Sequence, residues 1–433
     1  MVSPRGQPAT GICSDSGFGV NLSMFARSSY SPFLDNGICV LLFFYVCVFP
    51  FSIAAGNFCI DAALILAGIR IFFSRQNLHW DRKIILFICL YGFMMLLSAL
   101  RSVPLQLGLR QAFNAIYYLL PPFALAHLFI LPRQRFYYLY LMLLSVLISA
   151  SYAYVQSLQG YVRAFGFIAP LELAGSISQL LPITVLLVCE QSTYKSNFLV
   201  RALSMLTFFV FAVALILTGT RGAWLAVGFT LSLYFAYLLV TARKSFFIVA
   251  LFLLLTVFAL AGLSFIPAAQ KRMESLANPN DYSIVTRFAM WSSATKMWVD
   301  HPLVGVGLGN YPEFYRTRYY DPEPWERFRK NHDGLTHKHP HNIFLHLLAE
   351  TGIVGLLSFA LLLGHAFRHF IALWRTGSPN SQIFAKIALS LLIIYLTFGL
   401  TENLVFGMFP AMQSLWFLLG MLWNPANHTF KGA

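Results

Sequence analysis

The sequence predicts an all-α fold: a polytopic membrane helical bundle of about twelve transmembrane helices, with a long, mostly helical loop between the ninth and tenth. Three observations predict it. Of 433 residues, 58% are hydrophobic and 11% charged, whereas a soluble chain carries roughly 25% charged residues. Mean hydropathy is +0.67. Apolar stretches of about 17 to 25 residues recur along the whole length, each long enough to cross a bilayer. Lipid cannot satisfy open backbone groups, so such stretches fold as helices.

In chain order, residues 1–36 are Ser-, Gly- and Pro-rich and lack the apolar core of a signal peptide, so they read as a cytoplasmic tail. Residues 37–266 carry nine spans, at approximately 37–55, 58–73, 84–100, 112–131, 136–157, 171–189, 198–217, 222–240 and 245–266. Pro121-Pro122 and Pro182 predict kinks. Residues 267–342 form the long polar segment. Spans at 343–374, 383–402 and 409–424 follow within 343–424, and 425–433 is a second tail. The tenth span is too long for one crossing and is expected to extend beyond the bilayer.

Lys and Arg in short loops set the orientation. With the N-terminus inside, the inner loops hold Arg75, Arg82, Lys83, Arg133, Arg135, Lys195, Arg243, Lys244, Arg368 and Arg375. The short outer loops hold Arg101, Arg110, Arg163 and Arg221. Both termini are then cytoplasmic and 267–342 lies outside.

The outer segment is rich in aromatic residues, among them Trp291, Trp298, Tyr311, Tyr315, Tyr319 and Trp325. Packing and interfacial anchoring explain them better than sugar stacking. Residues 285–299 carry a helical apolar stripe, and His301-Pro302 ends that helix. Gly305, Gly307 and Gly309 read as a tight turn, since the spacing of a dinucleotide fingerprint is absent.

Composition excludes several functions. The net charge of +14 is spread through short loops, without the basic patch that nucleic acid requires; anionic membrane lipids are the expected partner of these charges. Six cysteines, with no CxxC, give neither a disulfide framework nor a metal site.

Chemistry is concentrated at two places. The run Thr336-His337-Lys338-His339-Pro340-His341-Asn342 puts three imidazoles on one side if the segment is extended. No HExxH is present, and the nearest carboxylates in sequence are Asp333 and Glu350, so a base or positioner is favoured over a metal site. Arginines sit on the outer side, where the topology rule disfavours them. Arg163, Arg221 and Arg287 are the candidates for a phosphate clamp, because the guanidinium fork suits bidentate phosphate binding. A snorkelling interfacial arginine is the bland alternative for each. Arg221 resists it best: its loop is short, and Gly219 and Gly222 would let backbone approach a ligand.

At these residues the chain resembles the O-antigen ligase and polymerase superfamily. The family pattern of His-Asn, nine residues, Gly, two residues, Gly is met by His341-Asn342, Gly352 and Gly355. Thr218-Gly-Thr-Arg-Gly222, the Thr-Arg pair at Arg287 and the run 301–310 match further family markers. The resemblance implies a GT-C-type glycosyltransferase of the Gram-negative inner membrane with a periplasmic active site. Its donor would be a glycan on undecaprenyl diphosphate and its acceptor a hydroxyl of lipid A–core, joined with inversion and with neither metal nor other cofactor. It implies His341 as the base, with His339 able to present to the same side, and Arg221 and Arg287 on the diphosphate; Arg163 matches less closely. His337 and Asn342 are candidates for acceptor positioning. O-antigen polymerase and protein O-oligosaccharyltransferase are the alternatives within the class. A lipid or polysaccharide transporter is the alternative outside it, disfavoured by the lack of internal repeats.

Overall fold

The computed structural model of the chain describes residues 22–74, 81–190, 198–241, 282–320, 338–405 and 409–423. Among them there is no strand, and nine helices are long and apolar enough to cross a membrane. Eleven of the twelve expected spans coincide with described helices. The ninth, expected at 245–266, lies outside the described residues.

The helices are α1 (Leu22–Val48), α2 (Ile53–Ser74), α3 (Arg82–Ala99), α4 (Leu105–Tyr117), α5 (Leu120–Phe129), α6 (Arg135–Leu158) and α7 (Pro170–Cys189). They continue with α8 (Phe198–Leu217), α9 (Arg221–Thr241), α10 (Tyr282–Asp300), the short α11 (Tyr311–Phe314), α12 (Ile343–Thr376), α13 (Pro379–Gly399) and α14 (Phe409–Trp423). The first boundary falls earlier than expected. Pro50 has no N–H to continue α1, and the Ser52 hydroxyl accepts from Ala55 N–H at 3.3 Å to start α2. The expected fourth span is α4 and α5 together, broken at Tyr118-Leu119; Pro121 and Pro122 stand in the first turn of α5, where a missing N–H costs nothing. Helix α7 runs unbroken through Pro182.

Helix α7 is the central pillar. Every side chain from Glu172 to Val188 is buried, and α6, α8, α9, α13 and α14 pack around it. Such all-round burial fits a helix without a polar face.

Contacts between loops define the two ends of the bundle. At one end, Ser102 Oγ donates to Leu308 O at 2.7 Å, and Ala164 N–H donates to Leu217 O at 3.0 Å. At the other, Arg70 is paired with Asp35 at 2.7 Å and Lys386 with Glu190 at 2.6 Å. The described parts of the connections expected outside meet at the first end.

Helix α12 spans 34 residues, about 51 Å at 1.5 Å per residue, against a hydrocarbon core of about 30 Å. It resolves the mismatch by breaking. Gly352 takes φ +66° and ψ −169°, splitting α12 into a short first section and a long second one. The cause is the glycine turn 302–310, which packs into the break. Val306 N–H donates to Ala349 O at 2.8 Å, Gly307 N–H to Glu350 O at 3.0 Å, and Ile353 N–H to Pro302 O at 2.9 Å. A Cβ on Gly352 would lie 2.2 Å from Leu303 O. Gly305, Gly307 and Gly309 all have positive φ, as a tight turn predicts.

Candidate active site

The site is built on the first section of α12. The Asn342 side chain caps this helix, its Oδ1 accepting from Phe344 N–H at 2.9 Å and Leu345 N–H at 3.0 Å. Its amide group also donates to Leu400 O at 3.1 Å, tying the start of α12 to the end of α13. Asn342 is buried, and these bonds occupy both ends of its amide. The helix α10 supports the segment before the cap, through Trp291 Nε1 donating to Pro340 O at 2.9 Å.

His341 stands just before the cap with φ +49°, the one positive φ among the described non-glycine residues. The extended alternation expected for the histidines therefore fails at His341. The tether of Asn342 to α13 forces the chain to turn there. The rings of His339 and His341 nevertheless remain neighbours, with centroids 4.3 Å apart. His337 lies outside the described residues.

The centre of the site is Glu402, in the turn after α13. One carboxylate oxygen accepts from Arg287 Nη2 at 2.8 Å, and the other lies 3.0 Å from His341 Nδ1. The Glu402 side chain is 7% exposed, Arg287 22% and His341 31%, so a buried carboxylate faces two groups that open toward solvent. An ionised carboxylate only accepts, so Nδ1 of His341 carries a proton and Nε2 presents its lone pair on the other side of the ring. His339 is oriented differently. Its Nδ1 accepts the His341 backbone N–H at a long 3.4 Å, so in the neutral ring Nε2 carries the proton. His341 is thus arranged as a proton acceptor and His339 as a donor.

Arg163 and Arg221 meet on the turn between α8 and α9. Arg163 donates from Nε to Thr218 O at 2.9 Å and from Nη2 to the Thr220 hydroxyl at 3.2 Å. Burial lowers the pKa of Arg163 from its ordinary value, while the negative charge of Glu402 acts in the opposite direction. Arg221 opens α9 directly after Thr220. Gly222 serves a different purpose from the expected ligand approach: a Cβ there would lie 1.9 Å from Thr401 Oγ1, so the glycine lets α9 sit against the turn that carries Glu402. Arg287 and His341 therefore meet on Glu402, the charge of Glu402 reaches Arg163, and Arg221 opens the helix whose Gly222 packs against Thr401, whereas Arg101 and Arg110 are exposed.

Sequence reasoning missed Glu402. Carboxylates were sought near the histidines in sequence, where Asp333 and Glu350 are the nearest. The partners of Glu402 lie 61 and 115 positions away. The available signal was an acidic residue at the end of an apolar span, in a chain with only 16 acidic residues. Among the described aromatic residues of the segment 267–342, Tyr311 and Tyr315 act in packing, as expected: both are fully buried, and they stack at 5.8 Å.

Fold and site together define a multi-pass helical membrane protein with a histidine–carboxylate–arginine centre at one end of its bundle. Residues 206–360 match the family model described as O-Antigen ligase, which is consistent with an O-antigen ligase superfamily member. The matched stretch holds Arg221, Arg287, His339 and His341, while Arg163 and Glu402 fall outside it. A comparison with curated proteins finds no match.

Proposed function

We propose that the protein is an O-antigen ligase. It transfers a preassembled glycan from undecaprenyl diphosphate to a hydroxyl of lipid A–core at the periplasmic face of a Gram-negative inner membrane. The observation that carries this reading is the meeting of His341 and Arg287 on Glu402, whose charge also reaches Arg163. A hydroxyl attacking a glycosyl diphosphate needs its proton removed and the departing diphosphate stabilised.

In this reading the acceptor hydroxyl gives its proton to His341 Nε2 as its oxygen attacks the anomeric carbon from the face opposite the diphosphate. The bond from that carbon to the diphosphate oxygen breaks, and undecaprenyl diphosphate leaves with the electron pair. The anomeric configuration inverts. Glu402 holds the His341 tautomer and balances the imidazolium that forms. Arg221 and Arg287 take the diphosphate charge, and Arg163 braces the turn bearing Arg221. His339 donates a hydrogen bond to the reacting groups, while Asn342 positions the acceptor indirectly, through its hold on the His341 segment. His337 keeps its proposed part in acceptor positioning.

The experiment is transfer by purified protein in EDTA, read as a gel shift of lipid A–core. His341→Ala and Arg221→Ala are expected to insert and fold but not transfer; full activity in both would sink the reading. Lengthening of the donor lipid with no shift of lipid A–core would make the protein a polymerase. The proposed orientation predicts that Tyr161→Cys, in the exposed loop between α6 and α7, reacts with an impermeant maleimide in spheroplasts. Reaction only after lysis would reverse the topology.

A further inference from the structure

The proposed transfer chemistry leaves a second histidine–carboxylate pair unused. His346 and Glu350 stand one turn apart on the first section of α12, with side chains 5% and 2% exposed. Nε2 of His346 lies 3.1 Å from one oxygen of Glu350, and the other oxygen accepts the Tyr311 backbone N–H at 2.9 Å. Taking a carboxylate out of water is costly, and apolar residues of similar volume often fill such a space with equal or better stability. Packing alone does not account for the pair.

The pair holds the turn after α13. Nδ1 of His346 lies 2.9 Å from Nδ2 of Asn403, itself 2% exposed. An amide NH2 only donates, so Nδ1 accepts, and the neutral ring carries its proton on Nε2 toward Glu350. The Glu350 carboxylate, 3.1 Å from Nε2, favours by its charge the same tautomer, the one that can accept from Asn403. Asn403 directly follows Glu402. Consecutive residues of one turn thus reach two histidines at one helix start, Glu402 to His341 and Asn403 to His346. The Tyr311 ring, 5.9 Å away, and the His339 ring, 6.3 Å away, enclose His346 from the loops.

We propose that Glu350, His346 and Asn403 are positioning residues for the transfer reaction: they hold Glu402 in register with His341, so that the base keeps its proton on Nδ1 and its lone pair on Nε2. The proposal rests on His341 acting as the base. These three residues act through Glu402, so losing them slows the chemical step without weakening donor binding.

The test compares His346→Leu, His346→Gln and Asn403→Leu in the full-length purified protein, with undecaprenyl-diphosphate glycan and lipid A–core. Misplacing a reacting group by about 1 Å can cost about 100-fold, so a loss of about 10- to 100-fold is the scale for such positioning residues. His346→Leu and Asn403→Leu are expected to lower kcat by that factor, with KM for the donor within about twofold. His346→Gln can accept from Asn403 and donate to Glu350, and is expected to recover most of the activity. A pair that only fills space would give the opposite order, since leucine packs at least as well as glutamine. Wild-type kcat in His346→Leu or Asn403→Leu, or equal impairment in His346→Gln and His346→Leu, overturns the proposal. So does failure of both leucine variants to fold, which would make the network purely structural. Activity retained in His341→Ala would instead overturn the assignment of the base.

Discussion

Replacing Glu402 with Gln removes the charge from a side chain that faces the Arg287 guanidinium at 2.8 Å and the His341 Nδ1–H at 3.0 Å. The shape stays, but the electrostatics invert. An amide can present its NH2 group to His341 Nδ1, which pulls the proton to Nε2 and leaves the wrong nitrogen facing the acceptor. The equivalent acid-to-amide change in serine proteases lowers kcat about 10,000-fold through the same tautomer error. General-base catalysis as a whole contributes about 100- to 10,000-fold. A fall in kcat of about 100- to 10,000-fold is therefore expected, equal to about 3 to 5.5 kcal/mol in the barrier at 1.36 kcal/mol per decade. Glu402→Asp should fall less, about tenfold, because the shortened side chain can reach only one of its two partners well. The assay is single-turnover transfer at saturating donor, with folding checked by gel filtration in detergent. Glu402→Gln within twofold of wild type would refute the reasoning, because the tautomer argument allows no such residual rate.

The remaining predictions concern the scaffold and the clamp. Gly352→Ala should lower stability by more than the ~1–3 kcal/mol of a strained backbone, because its Cβ would also lie 2.2 Å from Leu303 O; an unchanged melting temperature in detergent would contradict the break in α12. Asn342→Ala should cost about 1 kcal/mol as a lost cap and reduce transfer by freeing His341, while Asn342→Ser should keep the cap and most of the stability; equal melting temperatures for the two variants would count against it. Arg163→Lys cannot make both bonds to Thr218 and Thr220, and should lower kcat/KM for the donor roughly tenfold, the equivalent of one lost hydrogen bond of about 1 to 1.5 kcal/mol. An unchanged value would remove Arg163 from the support of Arg221.

Much of the fold was legible because a bilayer imposes one local rule on each span, and apolar length obeys it whatever the partner helices are. The same locality explains the outer helix ended at His301-Pro302 and the turn at the three glycines. What escaped was set by distant contacts. Gly352 was noticed as part of a pattern, but the loop that packs into the break comes from residues 302–310, and nothing local to α12 announces it. The three histidines share one side only if their segment is extended, and the turn at His341 escaped because the Asn342–Leu400 tether is invisible in sequence. Gly222 was read as facing a ligand when it faces Thr401. Glu402 and Asn403 were missed for the same reason: they meet α12 only after α13 has returned to the same end of the bundle. Arg163 and Arg221 stood out because arginine in a short loop expected outside runs against the topology rule, and such violations are visible without a structure.

The central claim is that His341, held by Glu402, removes the acceptor proton in glycan transfer from a lipid diphosphate. Its most direct test is a single reconstitution in EDTA of wild type, His341→Ala and Glu402→Gln with undecaprenyl-diphosphate glycan and lipid A–core. Glycan moved onto lipid A–core by wild type alone is the predicted result. Transfer that persists in His341→Ala, or wild-type protein that leaves both lipids unchanged, would contradict it.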